Sequence, residues 1–406
     1  MHVAPLRASS PLCRALPRAF PARPFHVRFW DGGSVAASEP DSPTFFVRQP
    51  SALAHFLRAP GTLGLGRAYV DGSLAVDDLD EAFIVVDEWQ PPALSAGDRA
   101  RLGVAIAAAA APGGVPRVPG LELVLRGRLH SIERDAAAVR YHYDVGNDFF
   151  ALFLDESMTY SCAVFSRGAQ TLEEAQHAKL DLVASKLGLE PGMHVLDVGC
   201  GWGSFAIHAA RHYGVTVMGL TLSEPQAELA RERVARAGLS EQVEIQVTDY
   251  RQLPSSSFDA IASIGMAEHV GERQIDLYAR SLLALLRPGG RLLNHAIAAL
   301  DPDDDPLEDT FSTRYVFPDG EPLALSRIEL ALERAGFHTQ HVEGFREDYA
   351  VTLRHWSRRL DEHLQEAEAL AGPERTRVWR LYLRAARHGF ETFHNAVYQV
   401  CARRPA

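Results

Sequence analysis

From Leu172 onward the chain alternates between two hydrophobic rhythms. Apolar residues recur at helical spacing over Glu173–Leu187, Ser204–His212, Gln226–Ala237 and Arg273–Leu286. Between these stretches lie short, nearly uninterrupted apolar runs: His194–Val198, Val215–Leu220, Val243–Thr248, Phe258–Ile264 and, after a Pro288-Gly-Gly turn, Arg291–Ala296. A strand that is apolar on both faces has to be covered on both faces. The alternation therefore predicts a doubly wound, mostly parallel α/β sheet. The first part of the chain has another texture. Phe25–Trp30, Thr44–Val47 and Leu63–Val70 are short apolar pieces cut by Asp-Gly, Gly-Ser and Pro turns, which predicts a smaller N-terminal mixed α/β domain. Pro112-Gly-Gly and Pro116–Gly120 interrupt the chain within a linker region of about 90 to 135. The expected division is an N-terminal domain at 1–115, a linker at 116–138 and a catalytic domain at 139–406.

Composition narrows the function. With 41 basic against 52 acidic residues the net charge is -11, which argues against a dedicated nucleic-acid binder. Residues 1–140 hold 15 basic against 14 acidic residues, so the acidity lies beyond them. Cys13, Cys162, Cys200 and Cys401 form neither a zinc pattern nor a disulfide framework, and a reducing cytoplasm is the plain expectation. The Val104–Ala111 run is too short to span a bilayer, so any membrane association is expected to be peripheral. Arg7, Arg14, Arg18, Arg23 and Arg28 give the N-terminus the look of a transit peptide. Only Lys179 and Lys186 are lysines in the whole chain, however, so a general arginine bias and a frayed basic end is the simpler reading.

The sharpest chemical signal is Val195-Leu-Asp-Val-Gly-Cys-Gly-Trp-Gly203, placed where a strand gives way to a helix. Gly199, Gly201 and Gly203 permit a tight turn and close approach of backbone to ligand, at a helix N-terminus with unpaired N–H groups. The spacing is neither the dinucleotide fingerprint nor a P-loop. With Asp197 before the loop, the segment Thr221-Leu-Ser-Glu-Pro-Gln226 and Asp249 after the third strand, it describes an S-adenosylmethionine pocket on a Rossmann-like methyltransferase sheet. The carboxylates suit an ammonium, ribose hydroxyls and an adenine amine. Chemistry in such sheets gathers at the C-terminal strand ends. There the sequence offers Glu268, His269, His295 and Ile297.

Seven motifs, in order, resemble the bacterial cyclopropane fatty acid synthases and related mycolic acid methyltransferases. They are Tyr141-His-Tyr-Asp-Val-Gly-Asn-Asp148, Tyr160-Ser-Cys162, the glycine loop, Thr221-Leu-Ser with Gln226, Gly265-Met-Ala-Glu-His-Val-Gly271, Tyr315-Val-Phe-Pro318 and Tyr349-Ala-Val-Thr-Leu-Arg-His-Trp356. The resemblance implies that Tyr160, Ser161, Gly199, Gly201, Gly203, Thr221, Leu222, Gln226, Asp249 and Tyr250 line S-adenosylmethionine. It further implies that Cys162, Glu268, His295, Ile297 through its main chain, and Tyr349 hold a bicarbonate ion acting as general base, with Tyr315, Phe317 and Tyr349 as aromatic faces for a carbocation. The implied activity is methylene transfer to the cis double bond of unsaturated acyl chains in phospholipids at the membrane surface. The alternative is methyl transfer giving a methylene-branched precursor of 10-methyl fatty acids.

Plainer readings stand beside these. Glu268 is also placed as a helix N-terminal carboxylate, His295 as a core histidine and Cys162 as a small hydrophobe. The family's cysteine in the C-terminal helix is Ala386 here, and the residues after the Phe-Pro motif depart as Asp319-Gly-Glu-Pro-Leu. Asp301–Asp305 reads as a solvated or lid segment, and no metal is expected. Arg99, Arg101, Arg126, Arg128 and Arg134 are candidates for docking on anionic headgroups. The Arg- and Ala-rich helices after Ser357 are candidates for a homodimer contact.

Overall fold

The elements from Leu172 onward follow the hydrophobic rhythm closely. The computed structural model describes residues 8–143, 145–254, 257–300 and 310–406. By contact the chain divides into two units, residues 1–123 with 309–315 and 372–385, and residues 124–308 with 316–371 and 386–406.

The first unit carries α1 (Ser10–Ala19), β1 (His26–Phe29), β2 (Ser34–Val35), β3 (Thr44–Val47), α2 (Ser51–Arg58), α3 (Thr62–Val70), β4 (Leu74–Val76), α4 (Leu79–Glu88) and α5 (Ala96–Ala110). Its sheet runs β2-β1-β3-β4, with β1 and β3 parallel. Two expectations change here. The basic N-terminus is not frayed over its described part: Leu12 of α1 sits in the core with Val27, Phe29 and Val47, and Ser9 donates to Asp31 at 2.6 Å. Arg7 lies outside the described residues. The region expected as linker contains α5, whose Ala105 and Ala109 enter the same core. Its small residues permit close packing without producing the strong apolar stripe by which a helix is recognised.

The second unit carries α6 (Ile132–Tyr143), α7 (Asn147–Ala151), α8 (Leu172–Leu187), β5 (His194–Val198), α9 (Ser204–Tyr213), β6 (Thr216–Thr221), α10 (Glu224–Arg236), β7 (Val243–Val247), β8 (Phe258–Ile264), α11 (Ala267–Val270), α12 (Ile275–Leu285) and β9 (Leu286–Ala299). Past α13 (Phe311–Tyr315), which belongs with the first unit, come α14 (Leu325–Ala335), β10 (His338–Gly344), α15 (Arg346–Glu362), α16 (Leu364–Glu391, broken at Gly372) and β11 (Asn395–Arg403). The sheet order is β10-β11-β9-β8-β5-β6-β7, and β11 alone runs against its neighbours.

Strand alternation divides the core in two. Val195, Val217, Ala262 and Leu293 face one layer with Leu180, Phe205 and Ala227 of α8, α9 and α10, whereas Leu196, Leu220, Ile261 and Leu292 face Tyr278 and Ile328 of α12 and α14. Local signals set the helix ends: Thr171 and Glu174 form a reciprocal capping box at α8, which closes on left-handed Gly188. The Pro288-Gly-Gly segment is not a turn ahead of the fifth strand. β9 begins at Leu286 and absorbs it as a register shift against β8. Asp301–Asp305 lies outside the described residues, and no described helix is long and apolar enough to cross a membrane.

Candidate functional site

The glycine loop follows β5 because three successive positive φ angles are needed to bring the chain back over the sheet: +81° at Gly199, +55° at Gly201 and +79° at Gly203. The Gly199 and Cys200 N–H groups donate to the Leu220 carbonyl, which braces the loop on the end of β6. A Cβ at Gly199 would stand 2.6 Å from Met266 Sδ. Gly203 forms the N-cap of α9, which has no side-chain cap, and its Cα faces Ala230.

A cavity opens above this loop. Tyr160, Ser161, Asp197, Gly199, Gly201, Thr221, Leu222, Gln226, Asp249 and Tyr250 all line it. Gly203 does not: a Cβ there would meet Ala230 at 3.4 Å, so the residue serves the close packing of α9 on α10. Thr221 Oγ1 donates to Gln226 at 2.9 Å, and the Tyr143 hydroxyl is hydrogen-bonded to the same glutamine. Asp249 offers no bare carboxylate, because Arg251 takes both of its oxygens at 2.8 and 2.6 Å and pairs with Asp135 as well.

Asp197 is different. Its Oδ2 is buried without a partner among the described residues, and burial pushes the carboxyl up to about 7 against the pull of Lys179. Lys179 is the lining residue that sequence reasoning passed over. Burial lowers its ammonium to about 8, it donates to Ser161 Oγ at 2.9 Å, and its charge is felt by Asp197, Cys162 and His295. A signal was present: Gln176 and Lys179 occupy the buried stripe of α8 marked by Leu172, Ala175, Leu180 and Val183.

The residues implied as anion ligands lie outside this lining, in two groups. Glu268 of α11, just past β8, meets Ile297 of β9, and His295 lies two residues earlier in β9, in register with Ile264 of β8. Glu268 accepts from the Ile297 N–H, its Oε2 has no partner among the described residues, and burial raises it to about 7. His295 stands opposite Gln399 in the β9–β11 register. Lys186 donates to Gln399 Oε1 at 2.7 Å. An ammonium has only donors, so the amide must turn its Nε2 toward His295 Nδ1, 3.2 Å away. His295 then carries its proton on Nε2, which is buried and unpaired, and burial holds the ring neutral with a pKa near 3.

Cys162 and Tyr349 form the second group, at the start of α15. The thiol is directed to the Ala163 and Phe345 carbonyls at 3.2 and 3.6 Å, and burial keeps it protonated. Tyr349 packs its ring on Phe390 at 4.6 Å and edge-on to Trp356 at 6.1 Å. Phe317 stacks on His142 at 4.1 Å. Tyr315, expected beside them, belongs to the first unit, where it stacks on Phe311 and donates to Glu122 at 3.1 Å.

The departure after the Phe-Pro motif is tied down from α6. Arg134 grips Asp319 through two bonds of 2.6 and 2.7 Å, and the Glu321 N–H donates to the Glu268 carbonyl at 2.8 Å. His130 stands between Asp135 and Glu321, 3.5 and 3.6 Å away, and the two carboxylates raise it to about 9. Arg134 is thus engaged by protein, and Arg101 pairs with Asp98. Asp144, within the Tyr141–Asp148 motif, lies outside the described residues.

A family model described as mycolic acid cyclopropane synthetase matches residues 130–400. The "Probable fatty acid methyltransferase" of Pseudomonas putida is 38% identical over 387 residues, covering 94% of this chain and 92% of its own. The cyclopropane-fatty-acyl-phospholipid synthase of Escherichia coli K12 is 34% identical over 370 residues, 91% of this chain and 88% of its own. Among solved structures, a mycolic acid cyclopropane synthase complexed with SAH and CTAB superposes with a TM-score of 0.63 at 35% identity, covering 66% of this chain and 98% of that one.

Proposed function

Because the chain belongs to the mycolic acid cyclopropane synthetase family and is an S-adenosylmethionine-dependent methyltransferase of the cyclopropane synthase type, we propose that it transfers a methylene group to the cis double bond of unsaturated acyl chains in phospholipids. Bound in this site, S-adenosylmethionine supplies an electrophilic methyl group and bicarbonate a base for the proton lost as the ring closes. The reading rests on one observation. Asp197 Oδ2 in β5, Glu268 Oε2 in α11 just past β8, and His295 Nε2 in β9 are buried polar atoms without partners among the described residues. Buried polar groups are nearly always satisfied, so orphans of this kind imply absent ligands.

The cofactor role falls to the cavity-lining set, in which Asp197 meets positive charge and the glycine loop lets backbone approach the ligand. An alkene is a feeble nucleophile, so these contacts serve to hold the methyl donor in line with the double bond. Glu268 and the Nε2–H of His295 take the anion, with the Ile297 main chain, Tyr349 and the backbone at Cys162 completing its surround. A donor and a carboxyl of raised pKa reconcile an acidic residue with an anionic ligand, because Glu268 can accept the bicarbonate hydroxyl proton or share its own. Tyr349, Trp356 and Phe317 offer aromatic faces that stabilise a transient cation without trapping it. Residues 1–115 fit this scheme as a lipid-docking module on a cytoplasmic, peripherally bound enzyme.

A Mycobacterium tuberculosis relative named as a tuberculostearic acid methyltransferase favours the branching chemistry as a second reading. The two products are isomers, so NMR of fatty acids from a host making oleoyl phospholipids separates them. Upfield ring-methylene protons are expected. Vinylic exomethylene protons would establish the second reading, and no consumption of S-adenosylmethionine with vesicles and bicarbonate would overturn both.

A further inference from the structure

On the outer face of the second unit, away from the residues used above, four side chains converge from two helices. α8 presents His177 and Asp181 one turn apart, and α9 presents His208 and His212 at the same i, i+4 spacing, so each pair shares a helix face. The pairs meet. Ring centroids lie 4.8 Å apart for His177 and His208, 5.5 Å for His177 and His212, and 4.6 Å for His208 and His212. One nitrogen of each imidazole falls within 4.8 Å of those of the other two. Asp181 stands between them, 3.1 Å from His177 Nδ1 and 2.8 Å from His208 Nε2, and it also accepts from the Tyr213 hydroxyl at 3.1 Å.

We propose that His177, His208 and His212, completed by Asp181, form a binding site for one divalent transition-metal cation, zinc being the ion whose preferences the set fits. Three imidazoles and a carboxylate are the donors zinc takes in four-coordinate sites, whereas magnesium and calcium favour all-oxygen sets. His208 is nearly enclosed while His177 and His212 are exposed, so the site has one fixed ligand and two that rotate in from solvent. With all four positions filled by protein the site is structural rather than catalytic. A cation held here would clamp α8, which carries Lys179 to the cofactor cavity, to α9, which begins at the glycine loop.

The test is a titration of the full chain, first stripped with a chelator. Zinc chloride followed by calorimetry should bind at one equivalent per chain and raise the melting temperature, and cobalt(II) should develop the intense visible bands of four-coordinate geometry. His177→Ala and His212→Ala, at exposed positions that the fold tolerates, should each weaken zinc by about tenfold or more and abolish the melting shift. Three results would overturn the proposal: no stoichiometric binding, binding only at millimolar zinc, or unchanged binding in both variants. None of these readouts depends on methyl transfer, so the outcome stands apart from the catalytic reading.

Discussion

Asp197 and Lys179 show how burial turns ordinary side chains into tuned ones. The carboxyl rises to about 7 because the wall of the sheet strips it of water, and the ammonium falls to about 8 for the same reason. A neutral carboxyl has little attraction for a cationic ligand, and an ionised one has much. With Asp197 facing the positive charge of S-adenosylmethionine, as proposed, binding below pH 7 would expel its proton, so affinity should rise between pH 6 and 8, approaching about tenfold per unit on the acid side. Calorimetry across that range, in buffers of different ionisation enthalpy, would count the released proton. Asp197→Asn should bind more weakly and with a flat profile, and a slope that survives the substitution would remove Asp197 from the cofactor. At Glu268 the expectation separates differently. Glu268→Gln keeps the shape but cannot take a proton, so turnover should fall by about 100-fold or more while cofactor affinity stays within about twofold. Equal losses in both quantities would place Glu268 in the cofactor pocket instead.

Elements differ in how plainly the sequence announces them. The parallel strands were legible because a strand covered on both faces is apolar throughout, and the loop after β5 because a left-handed backbone requires glycine. β11 was not, since its burial depends on neighbours β9 and β10 brought together from distant parts of the chain. Missing β11 meant missing Gln399, and with it the reason His295 carries its proton on Nε2. α5 escaped for want of an apolar stripe, whereas the helical pattern of α8 put Lys179 on its buried stripe without saying what the ammonium faces there. The β9–β11 register therefore carries its own prediction. Gln399→Leu removes the donor to His295 Nδ1, and Gln399→Glu replaces it with an acceptor that would draw the ring proton to that nitrogen. Turnover should fall by about 10- to 100-fold in both, the range seen when partners that orient a functional imidazole are lost, with cofactor affinity within about twofold. Nitrogen-15 spectra of the imidazole should show the proton moved to Nδ1 in the glutamate variant. A proton still on Nε2, with near-normal turnover, would show that the amide merely fills space.

At the scale of the molecule, the first unit is not a contiguous piece of chain. Residues 309–315 and 372–385 return to it after long excursions. Arg67 and Glu122 are paired through bonds of 2.8 and 2.6 Å with side chains only 11% and 5% exposed, and Tyr315 closes over the pair with its hydroxyl on Glu122. Arg377 reaches the Val70 carbonyl at 2.8 Å, and Arg384 approaches Asp80 at 2.9 Å. A fragment ending near residue 115 would lack Glu122, Tyr315 and both arginines, so lipid docking by the N-terminal region has to be tested in the full chain. The pair also has a stability consequence. Neutralising one member of a buried ion pair strands the other, at a cost of about 3–5 kcal/mol, whereas a pair on the surface costs less than about 1 kcal/mol. Glu122→Gln leaves Arg67 without its counter-charge and should shift urea denaturation by the larger amount. Every residue lining the cofactor cavity belongs to the second unit, so S-adenosylmethionine affinity below the transition should stay within about twofold of the parent. Loss of less than about 1 kcal/mol would mean that water already screens Arg67, and a matching loss of cofactor affinity would mean that the two units do not respond separately to damage.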